Sequence, residues 1–153
     1  MKRLLFLPFT AVLLPSALCA QSADADIERT MLAAPASLRA EATILELRPD
    51  GSTAVLRKGS NDLICWDNEG RPGQMAPFDI QCTAKANRPR LEQNHAFESA
   101  GGTVTEILAR FERAEADGTR TLAVWGSIYY HVYGDSVQDY RNHTVVAVPY
   151  ATR

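Results

Sequence analysis

The chain has 153 residues, with 16 Lys and Arg against 18 Asp and Glu, a net charge of −2 and 46% hydrophobic residues. That balance offers no basic stripe to neutralise a phosphate backbone, so nucleic acid is excluded as an expected partner. After the first twenty residues, no run is long or apolar enough to cross a bilayer.

The N-terminus carries an address. Lys2 and Arg3 are followed by an apolar run from Leu4 to Leu18, then by the small pair Cys19-Ala20 and the polar Gln21-Ser22. This order is that of a secretory signal peptide. Pro8 and Pro15 interrupt the run, which is short of the roughly twenty residues of a membrane anchor. Leu18 fills the place where lipidation of Cys19 would need a small residue. Residues 1–20 are therefore expected to be removed after Ala20, with a cut after Cys19 as the alternative. The expected organisation is a signal peptide over 1–20 and one secreted or periplasmic domain over 21–153. Losing Lys2 and Arg3 leaves 14 basic residues against 18 acidic ones, a net charge near −4.

Two cysteines remain after Cys19 is removed, Cys65 and Cys82. An even count in an oxidising compartment reads as a bridge. A redox pair would be a tight C-x-x-C, and a zinc site would need a second ligand pair nearby. A structural disulfide is expected, one that stabilises the fold by about 3 kcal/mol in the chain-entropy picture.

In chain order, Ile27, Met31 and Ala34 at helical spacing predict a first helix over 24–34, ended by Pro35. The period then becomes strand-like. Residues 41–57 read as a β-hairpin about the Arg48-Pro49-Asp50-Gly51 turn. Residues 63–66 predict a third strand, 67–77 a polar loop, and 78–83 a fourth strand tied to the third by the disulfide. A helix is expected over 91–99. Thr103 and Glu106 have capping-box spacing ahead of an apolar stripe, Val104, Ile107, Leu108 and Phe111. That helix is expected to end at Asp117-Gly118 and to cover a sheet. Alternation predicts strands over 122–133 and 143–150, with 134–141 as their connection. The expected fold class is α+β, a mostly antiparallel β-sheet covered by two or three helices.

The last hairpin holds the candidate site. A turn centred near Val137 sets His131 opposite His143 on one side of the sheet, with Trp125, Tyr129 and Tyr133 on that side too. Aromatic rings with polar tips beside two histidines can stack a sugar or another ring and hydrogen-bond its edges. The competing expectation is that Trp125 and the tyrosines are core under the 104–111 helix. A metal at His131 and His143 would need a third ligand, for which His95, Asp135 and Asp139 have no spacing to recommend them. Asp67-Asn68-Glu69 lacks the pattern of a calcium loop. Gly134-Asp135-Ser136 matches three residues of an esterase signature without its surroundings. No phosphate loop or dinucleotide fingerprint is present.

One resemblance rests on Ala34-Pro35, Ala42-Thr43-Ile44 and Leu56-Arg57-Lys58-Gly59-Ser60-Asn61 with Cys65 four residues on. This pattern is similar to one in uncharacterised small secreted bacterial proteins. It implies a bacterial envelope or secreted setting and carries no catalytic residue. The expected function is non-catalytic binding of a small molecule or a protein partner, with no cofactor. The alternative is a secreted hydrolase or metal-dependent enzyme using His131 and His143.

Overall fold

The computed structural model describes residues 17–148, with side chains from Asp24 onward. The body of the signal segment therefore lies outside the described residues. Helix α1 (Ala17–Thr30) begins before the expected cleavage position and runs through it. It ends four residues earlier than the apolar spacing suggests. Past Thr30 the chain tightens into turns, in which Leu32 N–H donates to Arg29 O and Ala34 N–H to Met31 O. The Arg39 guanidinium then caps the carbonyls of Leu32 and Ala34.

Strands β1 (Thr43–Leu47) and β2 (Thr53–Arg57) form the expected hairpin. Its turn is closed by Arg48 N–H to Ser52 O, and Gly51 sits at φ +85°, a region a side chain disfavours. Asp50 accepts from the backbone and hydroxyl of Ser52 and locks the corner. Strands β3 (Leu63–Asp67), β4 (Phe78–Ala84), β5 (Ile128–Ser136) and β6 (Asp139–Val146) complete one six-stranded sheet, ordered β2-β1-β3-β4-β5-β6. Every neighbouring pair is antiparallel except β1 with β3. The α+β expectation holds, with a mostly antiparallel sheet and three α-helices among the described residues.

The disulfide is formed. Cys65 and Cys82 oppose each other directly across β3 and β4, fully buried, with Cα atoms 4.0 Å apart. They belong to the face of the sheet that carries Ala42, Ile44, Phe78, Ile80 and Val132, packed beneath Ala33, Ala34 and the apolar side of α1. Fully burying each isoleucine of this layer stabilises the fold by about 2 kcal/mol.

The opposite face is covered by α2 (Arg88–Ser99), which sets Leu91 against Leu45, Ile64 and Trp66. Helix α3 (Val104–Ala116) opens with the full capping box between Thr103 and Glu106. It corrects one expectation: α3 covers α2, not the sheet. Phe111 stacks on Phe97 at 5.4 Å, and Arg110 donates to Phe97 O and Gly101 O. Ile107 is buried, while Val104 and Leu108 stay exposed. The stripe is wider than the helix neighbour it meets.

The final hairpin is shifted from the expected one. Residues 122–127 are not strand; Ser127 N–H closes a turn onto Val124 O, and Gly126 takes φ +80°. The strands instead extend into the expected connection and meet at a tight turn, with Ser136 opposite Asp139. Gly134 sits at the bulge, where a β-carbon would collide with the Asp139 backbone.

Candidate functional site

The register of the last hairpin is the expected one: His131 faces His143, and Tyr133 faces Arg141. Their rings cluster. Tyr133 lies 4.7 Å from His131 and 6.4 Å from His143 between ring centres, and the two imidazoles are 6.3 Å apart. Trp125 does not join them. It sits on the exposed turn before β5, where Val124 N–H is tied to Asn87 Oδ1. The expectation that places Trp125 on the hairpin face is corrected; Gly126 breaks the alternation that suggested it. Tyr129 packs among Leu45, Ile64, Trp66 and Leu91, the core reading for that ring, although α2 and not α3 covers it. Burial pushes the Tyr129 phenol above its ordinary pKa.

The residue that organises this face escaped the sequence reading. Asp79 on β4 is fully buried and accepts from His131 Nε2 at 2.8 Å, Asn68 Nδ2 at 3.0 Å and Met75 N–H at 2.6 Å. Asn68 Oδ1 in turn accepts from Trp66 Nε1 at 3.1 Å. Burial opposes ionisation of Asp79, but the donors from His131, Asn68 and Met75 outweigh it and hold the carboxyl below its usual pKa. An anionic Asp79 fixes the orientation of the ring, because Nε2 carries the proton that it donates. His131 Nδ1 has no protein partner among the described residues, and the ring lies beside Tyr133 and His143. A cleft of about 220 Å³ adjoins Tyr133, lined by Met75, Ala76, Asp135, Asp139 and Arg141. Arg141 and His143 are exposed, and neither forms a salt bridge among the described residues.

A polar seam continues beneath α2. Asn68 and Gln81, the cross-strand neighbour of His131, line a small cavity of about 70 Å³ together with Arg71, Asn94, His95 and Glu98. That volume holds about two water molecules. Arg71, His95 and Glu98 also line an adjoining surface cleft of about 310 Å³. His95 lies there, buried on α2 and hydrogen-bonded to Ser52 and Ser99, and it does not join the ring cluster of His131 and His143. Among the described residues, no group of three or more His, Cys, Asp or Glu is placed to hold a metal.

One signal for Asp79 was present. Asp79, Gln81 and Thr83 alternate with Phe78, Ile80 and Cys82, so a polar face runs along a strand that is buried on both sides. No helix among the described residues is long and apolar enough to cross a membrane. No family model, no curated protein and no solved structure matches the chain.

Proposed function

We propose that this is a secreted or periplasmic binding domain whose ligand is a small, polar, ring-bearing molecule such as a sugar, held on the β5–β6 face by Tyr133, His143 and Arg141. The N-terminal address and the oxidised Cys65–Cys82 pair support the compartment. One observation carries the ligand reading: a buried carboxylate is spent on orienting His131 directly beneath an exposed aromatic and cationic patch. An apolar pair would fill the same space without the desolvation cost of an ion, so the dyad is kept for what it presents. Tyr133 offers a ring face and His143 an edge, and Arg141 supplies donors for hydroxyl or carboxylate oxygens.

The same dyad favours a second reading, a hydrolase in which His131 Nδ1 removes a proton, since a carboxylate holding the far nitrogen is the general-base arrangement. One experiment separates binding from its absence. Protein from the secreted or periplasmic fraction is weighed by mass spectrometry in its native state and after denaturation without reductant. Added noncovalent mass that disappears in Arg141→Ala supports the site. Release of a chemically altered ligand, abolished by His131→Gln with the fold intact, favours the hydrolase. A bare polypeptide that also ignores a panel of mono- and disaccharides rejects the ligand reading.

A further inference from the structure

The surface cleft at the C-terminal end of α2 holds a second set of reactive groups, separate from the hairpin face. His95 Nε2 lies 3.1 Å from the carbonyl oxygen of Ser52, an acceptor that can only take a proton, so Nε2 carries the hydrogen. His95 Nδ1 is therefore unprotonated, and the Ser99 hydroxyl 3.2 Å away donates to it. The Arg71 guanidinium approaches the same ring at 3.5 Å between Nη1 and Nε2, and is itself paired with Glu98. The charged groups lining the cleft are Arg71 and Glu98, Arg48, which is paired with Glu46, and Glu69, which is paired with Arg29. Arg71 Nε is buried without a hydrogen-bond partner among the described residues. Ser99 is half-exposed and lines the 310 Å³ cleft, whereas His95 is sealed from solvent.

We infer that Ser99 is a nucleophile activated by His95, in a cleft that accepts a short carboxylic ester. Nucleophile, base and a fixed orienter stand in the order that acyl transfer requires, with a main-chain carbonyl in the orienting role usually filled by a carboxylate. Ser99 Oγ attacks the ester carbonyl as its proton passes to His95 Nδ1. The tetrahedral intermediate collapses, the carbon–alkoxide bond breaks, and the alkoxide takes the proton from Nδ1 and leaves as the alcohol. Water repeats the sequence on the acyl-serine, with His95 as base, and releases the acid and the original hydroxyl. Arg71 lines the same cleft on the Nε2 side of His95, where it is paired with Glu98. Burial, followed by the charge of Arg71, holds His95 below the ordinary imidazole pKa, so the base is ready across neutral pH.

The test uses the full oxidised chain with an alkyl fluorophosphonate, which gives a stable phosphonyl-serine as fluoride leaves. A single adduct mapped to Ser99 is expected. It should be absent in Ser99→Ala and slowed about a hundredfold or more in His95→Gln, with circular dichroism confirming that both variants fold. The labelling rate of the native chain should stay level above pH 7 and fall only as the solution becomes acid enough to protonate His95. Should His95→Gln unfold, the Ser99→Ala comparison and the pH profile decide alone. A folded chain with no adduct, or with an adduct that Ser99→Ala leaves in place, overturns the inference.

Discussion

The two faces of one sheet are built from alternate residues of the same strands and are chemically unlike. Toward α1 the layer is Ile44, Cys65, Ile80, Cys82 and Val132, dry and disulfide-bonded. Toward α2 an apolar half, Leu45, Ile64 and Trp66, gives way to a polar half of Asp79, Thr83 and His131 with Asn68, Asn87 and His95 beside it. Both halves are equally closed to solvent. The first stabilises by burial alone, while the second must satisfy each polar atom to avoid a penalty. A sheet that has already anchored itself on one face can carry an expensive arrangement on the other.

Substitutions on adjacent β4 residues break this comparison most sharply. Ile80→Ala should cost about 2–5 kcal/mol in urea unfolding, through lost burial and the cavity left behind. Asp79→Ala should cost about 3 kcal/mol, because His131, Asn68 and Met75 N–H lose a shared acceptor. Equal costs would have different signatures: the Asp79 variant should also disturb the His131 ring resonances, and the Ile80 variant should leave them in place. Replacing both Cys65 and Cys82 by Ala should remove about 3 kcal/mol without changing ligand uptake.

Acid titration sharpens the contrast further. Asp79 has a depressed folded pKa, so its contribution is complete above the ordinary carboxylate pKa and is lost as pH falls through the lower folded value. His95 is also depressed, and its neutral form is favoured by the fold. Stability should therefore drop as pH falls below the ordinary imidazole pKa of about 6.5. His95→Gln should flatten the curve just below the ordinary imidazole pKa, and Asp79→Asn should flatten it in the more acid limb. The smallest stability effects are expected at the exposed end of the same face. Arg141→Ala and His143→Ala should each change unfolding by less than about 0.5 kcal/mol while removing ligand binding.

Much of the frame was legible because it is local. Arg48-Pro49-Asp50-Gly51 names its turn, Thr103 and Glu106 name a helix start, and the two cysteines that remain beyond the expected signal segment name a bridge. The His131–His143 pairing followed from a turn centre alone. What failed was non-local or depended on where a pattern stops. The apolar stripe of α3 shows that it packs but not against which neighbour, and α2 took the place given to the sheet. The parallel pairing of β1 with β3 leaves no mark within either strand. Trp125 continued the alternation of β5 on paper, yet Gly126 at positive φ turns the chain before the ladder begins. Asp79 was hidden by its company, a single carboxylate between Phe78 and Ile80, although its alternation with Gln81 and Thr83 marked a second polar face.

The chain contains three histidines, and they report on both sites: His131 and His143 on the hairpin face, His95 in the α2 cleft. The most direct measurement follows their ring proton resonances by NMR while mono- and disaccharides are titrated into the full oxidised chain. At least one sugar is expected to move His143 and His131 together, saturably, with His95 unmoved and with the effect gone in Arg141→Ala. A panel that moves no hairpin histidine, or a response that survives Arg141→Ala, would contradict the ligand reading.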